Sequence, residues 1–120
     1  MTKTDRRKSS KLLSRIPSNY RISEDVLRRV DREVRADVRD TLKVMNAVSN
    51  PIRLRILRAL KVEELCVCVF VGLMRCEYSK LSYHLKLLKK AGLVESAKDK
   101  NFLAYRLTTF GRGVLKSIED

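Results

Sequence analysis

At 120 residues the chain has room for one core and not for two ordinary domains, so any larger architecture must come from association. It carries 27 Lys and Arg against 14 Asp and Glu, a net charge of +13, which sets up a positive field favouring a polyanionic partner, nucleic acid first. Its longest uncharged apolar run, residues 65–74, is about half of what spans a bilayer, and the basic start lacks the apolar core of a secretory signal. No membrane partner and a cytoplasmic location are therefore expected. Three cysteines, an odd number, argue against a disulfide framework and leave free thiols.

Residues 1–23 are rich in Lys, Arg and Ser and read as a mobile basic arm, either solubilising or gripping phosphates. From Glu24 the pattern turns helical: Val26, Val30, Val34, Val38 and Leu42 recur every fourth residue, and Met45 follows three later. Such a step drifts by roughly 40° each time against a turn of about 3.6 residues, so the stripe winds too far to lie on one straight face. Either the helix breaks near Arg39 and Asp40, or its ends face different neighbours, a partner subunit first and the domain core second. Both readings favour a dimer. Asp31 and Arg35, at i,i+4, support an exposed flank.

Ser49 or Asn50 is placed to cap a helix that opens on Pro51, where the missing N–H costs nothing, with Ile52, Ile56, Leu57 and Leu60 on its buried side. Residues 65–74 follow as a helix apolar on every side and hence buried, broken at Arg75-Cys76-Glu77. Residues 78–91 form a further helix with Leu81, Leu85 and Leu88 on one face and Lys89, Lys90 and Gly92 as its stop. Two alternating segments, 93–96 and 102–107, joined by the polar Lys98-Asp99-Lys100-Asn101, read as a β-hairpin. Thr108 or Thr109 then caps a last helix carrying Phe110, Val114, Leu115 and Ile118.

This order, in a basic chain without a glycine-rich phosphate loop, predicts a mainly α fold with a small β-hairpin: a dimeric winged helix-turn-helix over residues 24–120 with an N-terminal dimerisation helix. That fold presents the outer face of its second helix to a major groove. Ser79, Ser82, Tyr83, Lys86 and Lys90 form such a face opposite the leucines, with Tyr78, Lys80 and His84 beside it. Hydroxyls suit base edges and lysines suit phosphates. An ordinary solvated face has the same pattern, but the charge and the following hairpin favour double-stranded DNA. His84, the chain's one histidine, makes no metal site or catalytic dyad alone; it reads as a polar or phosphate contact or as packing at the helix edge. Lys98, Lys100 and Asn101 sit where a wing tip meets the backbone or minor groove. No spacing pairs a nucleophile with a base, so an enzyme is not expected. The competing class is a structural or RNA-associated basic protein without sequence preference.

"SNPIRLRILRAL", "ELCVC", "SKLSYHLKLLKKAGLVE" and "YRLT" together resemble the ArsR (arsenic-responsive) family of winged-helix repressors over residues 45–109. The resemblance implies a homodimer that binds a pseudo-palindromic operator and releases it when an effector binds. The family commonly has Ser-Gln where this chain has Glu77-Tyr78, and Glu77 would then either accept from a cytosine amino group or repel phosphate. Cys66 and Cys68 match two thiolate ligands that founding members use for arsenite, antimonite or other soft ions such as cadmium and zinc. The family's third thiolate falls three residues further on, at Val71 here, or on the arm, which has no cysteine.

Residues i and i+2 point about 200° apart on a helix, so both thiols meet one ion only where Cys66 sits at an unwound N-terminus. Cys76 lies roughly 12 Å further along a regular helix, too far to complete the shell within one subunit unless the helix breaks, which leaves the partner subunit or Glu64 as the source of a third ligand. The family's frequent Asp after the second cysteine is Val69 here, and the last helix has no His for the family's other metal site. Three readings of the pair stay open: soft-metal or metalloid sensing, thiol redox, and packing or an unidentified ligand.

Overall fold

The computed structural model describes residues 14–119; residues 1–13 of the expected arm lie outside them. The chain divides into two units, residues 1–37 and 38–120. In the first, helix α1 (Glu24–Arg35) starts where the Ser23 hydroxyl accepts from the Val26 N–H at 3.2 Å, and Asp31 pairs with Arg35 at 2.8 Å as the i,i+4 spacing predicts. The chain leaves helical geometry at Ala36 (φ −62°, ψ 148°), and α2 (Arg39–Val48) resumes. The wound stripe is thus resolved by a break, within a few residues of Arg39-Asp40.

The second unit continues with α3 (Pro51–Val62), β1 (Leu65–Cys66), α4 (Val67–Met74), α5 (Tyr78–Lys90), β2 (Val94–Asp99), β3 (Phe102–Leu107) and α6 (Thr109–Glu119). Asn50 caps α3, its side-chain oxygen accepting from the N–H groups of Ile52 and Arg53 at 2.9 and 3.1 Å, with Pro51 at the first position. One core gathers Ile56, Leu57 and Leu60 from α3, Phe70 from α4, Leu81, Leu85 and Leu88 from α5, Leu93 and Val94, Tyr105 and Leu107 from β3, and Leu115. The expected periodic faces of α3 and α5 are the faces that build it.

Residues 65–74 correct the expectation of one buried helix. Leu65 and Cys66 form a short strand paired antiparallel with Tyr105 and Ala104, so the hairpin is a three-stranded sheet of order β1-β3-β2. The helix begins only at Val67, and it is not buried all round: Cys68 and Gly72 face outward and Leu73 is 79% exposed. An apolar run this short says nothing of which face a partner will cover.

Helix α5 ends in a Schellman motif. The Leu93 N–H donates to the Leu88 carbonyl and that of Gly92 to the Lys89 carbonyl, both at 3.0 Å, with Gly92 left-handed at φ 76°. The start of α6 is tied to this turn. Thr108 donates its N–H to Leu93 O at 3.1 Å and its hydroxyl to Gly92 O at 2.6 Å, while the same hydroxyl accepts from the Gly111 N–H at 2.9 Å. Thr108 is therefore the cap, one of the two threonines expected.

Candidate nucleic-acid interface and thiol groove

Helix α5 buries Leu81, Leu85 and Leu88 completely and turns the opposite face outward. Ser79, Tyr83, Lys86 and Lys90 are exposed along it, with Ser82 half-buried, and Tyr78 and Lys80 exposed beside them. The row expected from spacing is thus brought together on one open face. Lys89 donates to the Ser96 hydroxyl at 2.8 Å, joining this helix to β2 of the wing. Lys98, Lys100 and Asn101 are exposed at the hairpin tip, where Lys100 turns the chain with φ 57°.

His84 departs from the DNA-reading group. It is buried, 6% exposed, on the leucine side of α5, so the packing alternative describes it and a base or phosphate contact does not. Arg53 of α3, which spacing alone does not single out, holds it: one guanidinium nitrogen lies 3.0 Å from His84 Nδ1, while the others donate to the carbonyls of Ala47 at 2.8 Å and Asn46 at 3.2 Å. Arginine has only donors, so Nδ1 accepts and the ring is neutral with its proton on Nε2. Arg53 thereby ties the end of α2 to α5. Nothing in one-dimensional spacing marks this contact, because its partners lie 31 residues apart.

Burial, then the positive charges of Arg53 and Lys80, hold the His84 pKa below the usual 6.5. As pH falls through 6.5 the unfolded chain therefore takes up its proton before the folded chain does, and folding stability falls with it. Stability should be full above that pH and decline as pH drops below it, levelling once the folded ring is protonated. His84→Gln should remove this component of the pH dependence of the urea midpoint between about pH 7 and 5. A profile unchanged by the substitution would assign the slope elsewhere.

Cys66 stands outside the helix as the N-cap of α4 (φ −70°, ψ 149°), and its Sγ accepts from the Cys68 N–H at 3.3 Å. This is the unwound placement that both thiols require to face one ligand. The hydrogen bond with Cys66, burial and the neighbouring Cys66 charge all raise the Cys68 pKa, so its thiol is protonated near neutral pH and a metal must displace that proton. A groove of about 430 Å³ opens beside the pair, walled by Val71, by Tyr78 of α5 and by Asn101, Phe102 and Leu103 of the hairpin. Among the described residues no three His, Cys, Asp or Glu side chains are grouped to hold an ion, so the pair supplies two donors of an incomplete shell. Cys76 lies in a different groove, beside Arg75.

No helix among the described residues is long and apolar enough to cross a membrane. The sequence profile of the bacterial regulatory proteins of the arsR family matches residues 50–96. ArsR of Halobacterium salinarum, named for an arsenical resistance operon, is 38% identical over 77 residues, covering 62% of this chain and 60% of that one. A CadC homolog of Staphylococcus aureus, named for cadmium resistance, is 32% identical over 88 residues, covering 72% of this chain and 73% of that one. The homodimeric winged helix-turn-helix DNA-binding domain of Mb0332 from Mycobacterium bovis superposes with a TM-score of 0.66 at 26% identity, covering 74% of this chain and 82% of that one. The matched stretch contains α3, the thiol pair, α5 and the start of the wing, and with this fold and these relatives the chain belongs to the arsR family of bacterial regulatory proteins.

Proposed function

We propose that the chain is a sequence-specific, DNA-binding transcriptional regulator, a homodimeric repressor in the cytoplasm that an effector releases from its operator. The observation that carries this reading is the outer face of α5, where hydroxyls and lysines stand exposed over a fully buried leucine face with basic wing residues alongside. Exposed apolar side chains support self-association: Val26, Val30 and Val34 on α1; Leu42 and Met45 on α2; Phe110 and Ile118 on α6. In this reading residues 1–23 are a basic arm that adds phosphate contacts, and the remainder is the DNA-binding domain with α1 as its dimerisation helix. Footprinting on the chain's own upstream region tests it. A defined footprint, with affinity above that for random duplex at matched salt, is expected; equal affinity for both would leave the RNA-associated or structural class.

The effector is assigned to Cys66 and Cys68, because their groove is walled by both the reading helix and the wing, so an occupant there bears on both DNA-contacting elements. Arsenite and cadmium head the ions to test, given what the two relatives are named for, with antimonite and zinc next. The donors missing from this chain's shell would come from the partner subunit or solvent. Native mass spectrometry of the reduced protein should show one ion per subunit, lost in a Cys66→Ser, Cys68→Ser variant whose serine keeps the α4 cap. No ion on either protein returns the pair to thiol redox or packing.

A further inference from the structure

Positive charge converges on one more concave surface, where two arginines from outside α5 join Lys80 on a flank away from the wing tip. It is a groove of about 710 Å³ at the turn of the helix-turn-helix, walled by Ile52 and Arg55 of α3, Arg75 and Glu77 of the turn, and Lys80 of α5. Arg55, Arg75 and Lys80 are all exposed, and none has an ion pair or side-chain hydrogen bond among the described residues. Their neighbours on α3 are occupied: Arg53 by His84, and Arg58 by Glu119 at 3.2 Å. Arg75 is moreover left-handed, at φ 51° and ψ 41°, as the C-cap of α4, a conformation that glycine ordinarily fills and that disfavours any larger residue.

The groove lies on the flank of α5 away from the wing. Tyr78 walls the thiol groove together with the wing residues, whereas Lys80, roughly 200° further round the helix, walls this one. A major groove about 12 Å wide is bordered by phosphates on both edges, so a helix lying in it faces one row on each flank. The wing tip serves one edge.

We propose that Arg55, Arg75 and Lys80 form a seat for a backbone phosphate on the other edge. The inference rests on the DNA-binding reading and adds Arg55 and Arg75 to its contacts. Glu77, in the same groove and without a side-chain hydrogen bond as the α5 N-cap, opposes the phosphate and limits what the seat accepts to backbones held close to the three cations.

The test is fluorescence anisotropy of the full chain on its upstream duplex and on random duplex across a salt series. An Arg55→Gln, Arg75→Gln variant should weaken both by roughly ten-fold or more at about 0.1 M salt and flatten the slope of log affinity against log salt by about 0.9 for each phosphate no longer neutralised. Arg55→Lys with Arg75→Lys should keep the slope, since phosphate accepts a point charge. Glu77→Gln should tighten both duplexes, and Arg58→Gln, already paired elsewhere, should change neither. A parent that binds its upstream duplex while the double glutamine variant keeps its slope overturns the seat and leaves the regulator standing. A parent with no salt-dependent binding to either duplex ends both. Loss of thermal stabilisation by inorganic phosphate, against chloride at equal ionic strength, with an unchanged DNA slope would give the groove to a free anion and overturn the proposal.

Discussion

Gly111→Ala is expected to destabilise the second unit by about 3 kcal/mol or more. A Cβ on Gly111 would run into the backbone carbonyl of Leu93, with the carbonyl carbon at 2.9 Å and Cα at 3.2 Å. Backbone cannot swing aside as a side-chain tip can, and this carbonyl already accepts from Thr108. Relief would require α6 to lift, which strains the Thr108 bonds to Gly92 and Leu93 and withdraws the fully packed Leu115. A loss of this size is a large share of the roughly 5–15 kcal/mol available to an ordinary domain, and lowers its melting point by more than about 10 °C. Gly92→Ala is the comparison: its Cβ would meet nothing nearer than Phe110 at 4.0 Å, so it should cost only the left-handed conformation, about 1 kcal/mol. Urea titration of both variants decides the matter, and a Gly111→Ala midpoint no lower than that of Gly92→Ala would show that the contact relaxes freely.

Ser82→Ala with Tyr83→Ala is expected to lower affinity for the operator by about 1–3 kcal/mol for each base edge no longer read, roughly ten- to a hundred-fold each, while binding to random duplex barely changes. Neither side chain lies in the core: Tyr83 is 58% exposed, with its ring in an edge-to-face contact with that of His84 at 5.4 Å between centroids. Lys86→Gln with Lys90→Gln should behave in the opposite sense, weakening both duplexes alike and flattening the salt slope by about 0.9 for each phosphate released. Competition binding with the two duplexes at one fixed salt concentration separates the classes. If the serine and tyrosine pair weakened random duplex as much as the operator, its role would be positional and not base-reading.

The features legible in the sequence were those written as local period or local chemistry. Leu81, Leu85 and Leu88 announce α5 and its inward face; Asn50-Pro51 announces the start of α3; the drift of the valine stripe announces that no single face of a straight helix holds it, without choosing between a break and two different neighbours. What stayed hidden depends on partners distant along the chain. β1 has too few residues to show alternation, and it is a strand only because Tyr105 and Ala104 return beside it. His84 looks like one more polar residue of the reading helix until Arg53 approaches from α3. Arg55 and Arg75 appear in sequence as ordinary surface charge, and only the turn between α4 and α5 draws them towards Lys80. For the thiols, helix geometry requires an unwound Cys66, and the cause of that position is the same pairing with β3, which local sequence does not display.

That pairing gives Cys66 two jobs at once. Its main chain is the last rung of the sheet that carries the wing, and its sulfur is the cap of the helix on which α5 leans. A bond formed at the sulfur draws electron density from the atom that accepts from the Cys68 amide and, if the residue turns to meet its ligand, loosens its rung against Ala104. The signal would then leave by the peptide backbone and not by a relay of side chains. Substitutions at Val71 or Leu103 should therefore change how tightly an effector is held without disconnecting it from DNA release, and slowed or quickened amide exchange at Cys68 and Ala104 should register its arrival first.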